Sequence, residues 1–420
     1  MTPIRVELRR GPGLWSMPVL VGVGVFMSRA QLETDMVWAY ATGAVTSAPM
    51  LMAPLAVGVA AWAGGRSQRR GVRHAWLLAG RDPAQAPLVE AGVLVACASG
   101  AYAVVAAVTL FATASAAAWG GPFWWWLGSA GVGLAAAVAV AYAVGVLLPS
   151  RLTPFAAALI TYLAATWNLG QYGTGYALFP FTVELILPFS TPHTPTMQGQ
   201  MLWFTGVGVL ALALVAVKVR SSARVVIPSV GAALALAVGG AAIVIGENGR
   251  YVDVNRHIVW SCSGSSPQVC VHPAFAASLN PINERAQAIS RRLSSTPFSI
   301  SRVEQRPRGV GGRPTPGAIA YALDAPSAEH YDRASVDIAV GALGVEACAQ
   351  GPRRDRTAHA MAQLLVAWAA GDERLFTPRD AAHQEAKTRF FNSTPEAQRQ
   401  WLTTHADAVR TCSLTPQSFT

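Results

Sequence analysis

The sequence predicts an α-helical polytopic membrane protein of about seven spans, followed by an α+β, disulfide-containing extracytoplasmic domain. Of its 420 residues, 52% are hydrophobic and only 13% are charged, well below the charged fraction of about 25% in ordinary soluble domains. The deficit is confined to residues 1–246, which hold six of the 22 acids. Four of the five cysteines, Cys262, Cys270, Cys348 and Cys412, lie beyond that point, as suits a domain exported to where disulfides persist. These observations divide the chain into a transmembrane domain, 1–246, and an extracytoplasmic domain, 247–420, long enough to bury its own core.

The orientation follows from the loop 64–87. It carries Arg66, Arg69, Arg70, Arg73 and Arg81 against the single acid Asp82. Short Arg/Lys-rich loops stay cytoplasmic, because translocating their charge is costly. Within the loop, Val72, Trp76 and Leu77 fall on one face of a short helix with Arg69, Arg70 and Arg73 around them, the pattern of an amphipathic element. The plain alternative is a solvated basic loop.

In chain order, residues 1–14 mix Ile4, Val6 and Leu8 with Arg5, Arg9 and Arg10, as in a segment lying along the inner membrane surface. The first apolar run, Trp15 to Ser28, could pass for a signal peptide cleaved near Ser28-Arg29-Ala30. The many apolar runs behind it favour a span. Further spans are expected at about 43–63, 88–113, 123–148, 154–169, 200–218 and 226–246, each near the roughly 20 residues that cross the hydrocarbon as helix. With the loop 64–87 inside, Arg151, Lys218, Arg220 and Arg224 also fall inside, and outside loops hold only Arg29. Trp124, Trp125 and Trp126 are placed at the outer interface as anchors.

Two acids are candidate pathway residues. Glu184 sits in the apolar loop 172–190, which Pro180 and Pro188 interrupt; this reads as half-buried re-entrant segments. Glu90 lies near the inner end of the third span, where a snorkelling or Arg-paired structural acid is the favoured reading. Intramembrane acids are functional candidates by default, and a Glu reaching to water is the alternative for Glu184.

In the exported domain, sequence proximity pairs Cys262 with Cys270, leaving Cys348 with Cys412 and Cys97 free. Four cysteines allow three connectivities, and no C-x-x-C spacing suggests zinc. Strands are expected at Arg250–Trp260, Phe298–Gln305, Ala318–Leu323 and Ser335–Val340. Helices are expected at Pro273–Leu279, Asn283–Leu293 and Arg356–Ala370, and after Thr377-Pro378 and Thr394-Pro395, where a cap residue precedes a first-turn proline. The Gly- and Pro-rich stretch Arg306–Pro316 reads as an exposed loop.

Several activities are excluded by motif. Lys218 and Lys387 are the only lysines and neither follows a glycine, so the G-x-x-x-x-G-K-[ST] phosphate loop is missing. The helix bearing His359 has Ala360 where a zinc protease needs its Glu and Gln363 where it needs its second His. G-x-S-x-G is missing too, as is a basic stripe interleaved with aromatics for nucleic acid. The chain is therefore expected to be no enzyme and to hold no catalytic residue, metal or cofactor of its own.

The start Arg5-Val-Glu-Leu-Arg-Arg-Gly-Pro12, the loop Arg69-Arg70-Gly-Val-Arg73 through Leu77-Leu-Ala-Gly-Arg81-Asp-Pro83, and the Pro-broken apolar loop before the sixth expected span resemble a type-2 ABC exporter permease. The resemblance covers about residues 1–220; the seventh span and the exported domain depart from the basic pattern. It implies that the 64–87 loop docks on a separate ABC-type ATPase, which binds ATP and Mg, through Arg69, Arg70, Val72, Arg73, Trp76, Leu77 and Arg81. It further implies a second permease copy or a related permease as partner, in the bacterial inner membrane with the N-terminus cytoplasmic. Two rival classes are a membrane-tethered extracytoplasmic ligand-binding or sensing protein, and a membrane enzyme acting on a lipid or envelope substrate.

A cysteine placed at position 190 is expected to react with an impermeant label on intact cells, and one at position 70 only after permeabilisation. The reverse pattern at both positions overturns the orientation.

Overall fold

The computed structural model describes residues 11–32, 37–69, 84–116, 119–167, 173–181, 188–219, 223–255, 258–306, 315–346, 348 and 356–419. Its contacts divide the chain into two compact units, 1–256 and 257–420.

The first unit is helical: α1 Pro12–Ala30, α2 Trp38–Ser47, α3 Pro49–Arg69, α4 Gln85–Ser115, α5 Trp124–Leu147, α6 Thr153–Trp167, the single turn α7 Thr174–Ala177, α8 Thr194–Lys218 and α9 Ala223–Gly246. Among the described residues, six stretches are long and apolar enough to cross a membrane, and they mark a membrane protein. One of them joins α2 to α3 through Ala48. The expected span at 154–169 is the 15-residue apolar helix α6, shorter than the roughly 20 residues of a perpendicular crossing. The loop expected at 64–87 is also shorter than its composition suggests. Helix α3 runs through Gly64, Gly65 and Arg66 to Arg69, and Gly64 serves packing rather than chain reversal.

That packing is backbone against backbone. A Cβ on Gly145 of α5 would strike the Ala61 carbonyl of α3, and one on Gly64 the Tyr142 carbonyl. In the same way Gly206 of α8 meets the Ala237 backbone of α9, and Gly240 meets Trp203. Where lipid is as apolar as the side chains, such close approach supplies the dispersion contacts that hold helices together. The core is accordingly rich in alanine, with Met52, Leu134, Tyr142 and Val105 as its larger fully buried members.

The unit ends later than the boundary expected at 246. A two-stranded antiparallel ribbon pairs β1 Ser190–Pro192 with β2 Val252–Val254, so residues 247–255 belong with the helices. The expected strand Arg250–Trp260 is thereby split, and only its tail leads into the second unit.

The second unit is a four-stranded sheet in the order β3 Ser261–Cys262, β4 Gln268–Val271, β5 Arg302–Gln305 and β6 Ala318–Tyr321. β3 and β4 form an antiparallel pair with Cys262 opposite Cys270, and β4, β5 and β6 run parallel. A parallel step needs a crossover, which α10 Leu279–Arg292 provides between β4 and β5. Buried Ile282, Ala286 and Ile289 follow the helical period along it. Helices α11 Ala328–Leu343, α12 Arg356–Ala370, α13 Ala381–Asn392, α14 Pro395–Thr404 and α15 Ala406–Arg410 complete the unit.

Two local expectations fail for identifiable reasons. Ser335–Val340 is not a strand but the middle of α11, where Ala334, Ser335, Ile338, Ala339 and Leu343 are buried. That spacing is helical, and the short β-branched run hides it. Helix α13 starts at Ala381 instead of after Thr377, because the Asp380 carboxylate caps the His383 amide at 2.9 Å. Thr394 does cap α14, accepting from the Ala397 amide at 3.3 Å, and α12 ends at Gly371 with φ +79°.

The disulfides are Cys262–Cys270 and Cys348–Cys412, and Cys97 is free and buried. On β5, Glu304 is fully buried and accepts from the Thr315 hydroxyl at 2.5 Å and backbone amide at 3.1 Å, from Arg306 at 2.8 Å and from Arg302 at 2.7 Å. These bonds outweigh the cost of burial and hold its carboxyl below the usual carboxylate range.

The bridges close loops of 8 and 64 residues. Loop-closure entropy gives about 2.5 kcal/mol for the first and about 4 kcal/mol for the second. Replacing Cys348 and Cys412 with serine is therefore expected to lower the thermal midpoint of the second unit more than replacing Cys262 and Cys270; the opposite order refutes this entropic ranking.

Candidate functional site

Three linked features of the helical unit form the candidate site. The first is a buried polar latch beside the basic loop. Arg66, near the end of α3, donates Nη2–H to Glu90 Oε1 at 2.9 Å. Tyr142 of α5 donates its hydroxyl to Glu90 Oε2, also at 2.9 Å. Glu90 is 6% exposed, so leaving its charge without these donors would be costly. The Arg66 guanidinium also lies over the Trp62 ring at 5.2 Å from its centroid. The latch thus fastens together the two helices that flank the loop, and fastens both to α5.

The second feature is an apolar cleft of about 400 Å³, for which α5 supplies one wall. Ala136, Ala137, Val140, Ala141 and Val144 form that wall, and Val57 of α3 contributes beside it. Ala157, Ile160, Thr161 and Ala164 come from α6, and Trp203, Phe204 and Val207 from α8. The segment Leu178–Phe181 completes the lining. Its Phe179 and Phe181 rings meet edge to face at 5.6 Å. Pro180 rests on Gly133, where a Cβ would come within 3.0 Å of the proline ring.

The third feature is the set of polar ties that holds this segment. Gln200, 3% exposed on α8, donates Nε2–H to the Ala177 carbonyl at 2.7 Å and to the Tyr251 hydroxyl at 3.2 Å. Its Oε1 accepts from Ser129 of α5 at 2.7 Å. Trp203 Nε1 donates to the Leu178 carbonyl at 2.9 Å. Tyr251 stacks on Trp126 at 6.2 Å, so of the three tryptophans expected at an interface, Trp126 is buried while Trp124 and Trp125 are exposed. Beside the ribbon, the His193 ring lies between Asp253 Oδ2 at 2.8 Å and Glu247 Oε2 at 3.0 Å, with Arg250 alongside.

The sequence placed Glu90 in a membrane segment, and the structure joins it to Arg66. Arg70, Val72, Arg73, Trp76, Leu77, Arg81 and Glu184 lie outside the described residues, as does the Arg69 side chain. Sequence reasoning missed Gln200, Tyr251, Trp203, Phe179, Phe181 and His193. A polar residue within an apolar span was signal enough for Gln200, but its partners are scattered from 129 to 251. Among the described residues, no group of three or more His, Cys, Asp or Glu is arranged to hold a metal.

No protein-family model and no curated protein matches the sequence, and no solved structure matches the fold.

The latch is open to a direct check. Tyr142→Phe removes one bond to a buried charge and is expected to cost about 2 kcal/mol. In a double-mutant cycle with Glu90→Gln the losses should be less than additive. Full additivity of the two would mean that the bond carries no stability.

Proposed function

We propose that the chain is the membrane-spanning permease subunit of an ATP-driven exporter, with ATP hydrolysed by a separate ATPase that docks on the loop 64–87. The observation that carries this reading is the double role of α5. One helix, α5, both closes the Arg66–Glu90 latch beside the loop and lines the apolar cleft. A displacement of the loop by a partner would pull on α3 and α4, and through Glu90 on α5. The cleft would then change shape without any further linkage. A second permease copy or a related permease completes the translocation path, and the loop faces the cytoplasm because of its five arginines.

In this reading Val72, Trp76 and Leu77 fill a cleft on the ATPase, as buried aromatic anchors dominate such interfaces. Arg73 and Arg81 meet acidic groups at the rim, where ion pairs contribute less and are screened by salt. The chain itself supplies no catalytic group, and cargo movement is a matter of binding and shape.

A second reading is a membrane-tethered extracytoplasmic ligand-binding or sensing protein. It is favoured by residues 257–420 forming a compact unit of their own with two disulfides. Deleting that unit leaves transport in place under the exporter reading and abolishes all function under the second.

Trp76→Ala is expected to weaken association with the ATPase by roughly 2 kcal/mol or more, and Arg73→Ala by less. Co-purification of the ATPase and substrate-stimulated ATP hydrolysis measure both. Unchanged co-purification and transport in Trp76→Ala would sink the docking role.

A further inference from the structure

We infer that the cleft between α5, α6 and α8 is a binding slot for the acyl chain of a membrane lipid. That an acyl-bearing amphiphile is also the cargo rests on the exporter reading; the slot itself rests on the cleft alone.

The lining offers a ligand no free side-chain donor. Its two polar side chains are already engaged: Thr161 donates its hydroxyl to the Ala157 carbonyl at 2.8 Å, and Trp203 donates its indole N–H to the Leu178 carbonyl at 2.9 Å. Pro180, set among the lining aromatics, has no amide hydrogen to give. A charged or strongly polar body placed here would lose its hydration with no return. The occupant is therefore apolar along the whole length that enters.

Size and shape narrow this further. An apolar cavity of about 150 Å³ stays dry and admits benzene, and this one is about 400 Å³. One wall is the α5 face of small side chains, Ala136, Ala137, Val140, Ala141 and Val144; across from it lies the edge-to-face pair Phe179 and Phe181. A slot between small aliphatic side chains and an aromatic edge suits a linear chain.

The route of access makes the choice. Ile160 belongs to the lining and is 65% exposed, and Phe155, Leu159 and Leu163 on the same helix are 75%, 56% and 53% exposed. In a protein with six apolar membrane-length helices, such a surface is solvated by hydrocarbon. The slot is thus continuous with the phase that acyl chains occupy, and a tail slides in without meeting water.

Trp203 provides the readout. The full-length protein is placed in lipid nanodiscs whose phosphatidylcholine carries bromine on the acyl chain, a contact quencher of indole fluorescence. The Trp203 contribution is the difference between the protein and Trp203→Phe. Ala137→Phe and Ala164→Phe each fill the slot from a different helix. Trp15 and Trp167, 77% and 76% exposed, report in every variant that the protein remains folded in the bilayer.

The expected result is strong quenching of the Trp203 contribution, most of it lost in both filled variants while the remaining quenching stays. The assignment is overturned if Trp203 is unquenched, or if the filled variants quench as fully as the parent. It is equally overturned if a free apolar aromatic molecule at micromolar concentration relieves the quenching, which gives the slot to a small molecule. The assay contains no ATPase. A negative result here leaves the exporter reading standing, and a silent Trp76→Ala removes that reading while leaving the slot.

Discussion

Where α3 passes α5, the Ala61 carbonyl and Gly145 occupy the space that a side chain would need. Much of the helical unit depends on that contact. It brings the backbones close enough for Tyr142, three residues before Gly145, to reach the Glu90 carboxylate beside Arg66. It also fixes which face of α5 is left over. The alanines at 136, 137 and 141 and the valines at 140 and 144 become the wall of the cleft on the flank next to the α3 contact, where Val57 of α3 joins them. A larger residue at 145 would separate the helices, and the acid and the cleft would be disturbed together.

Gln200 and Trp203 follow the rule that in hydrocarbon a donor or acceptor needs an internal partner. Gln200 satisfies the irregular backbone at Ala177 and joins α5 and α8 to the chain beyond α9. Trp203 does the same for Leu178. Non-helical backbone at this level is tolerated because these side chains substitute for water. The aromatic wall of the cleft is the by-product of that satisfaction.

Much of this was legible in the sequence, and for plain reasons. Hydrophobic length marks a membrane helix without reference to neighbours, so the apolar runs were readable one by one. Cysteine placement carried the two-part division. Glu90 was conspicuous because an acid in an apolar run is rare. What failed was information held jointly. Gly64 and Gly65 look like a loop until Tyr142 is known to lie against Gly64. Asp380 outcompetes Thr377 as a cap only through the geometry of the His383 amide. Val252–Val254 reads as the opening strand of a soluble domain, yet its partner is a segment 60 residues earlier, separated from it by two membrane-length helices.

That last pairing bears on the order in which the molecule can be completed. A chain made from its N-terminus presents Ser190–Pro192 long before Val252–Val254 exists, and domains form progressively as their parts emerge. Until then the ribbon has one strand, Gln200 lacks its Tyr251 partner, and the backbone around Ala177 is only partly held. The aromatic side of the cleft therefore sets last in the helical unit, after α9 has been made. A nascent molecule halted before residue 251 would possess all of its described membrane-length helices while Gln200 still lacked its Tyr251 partner.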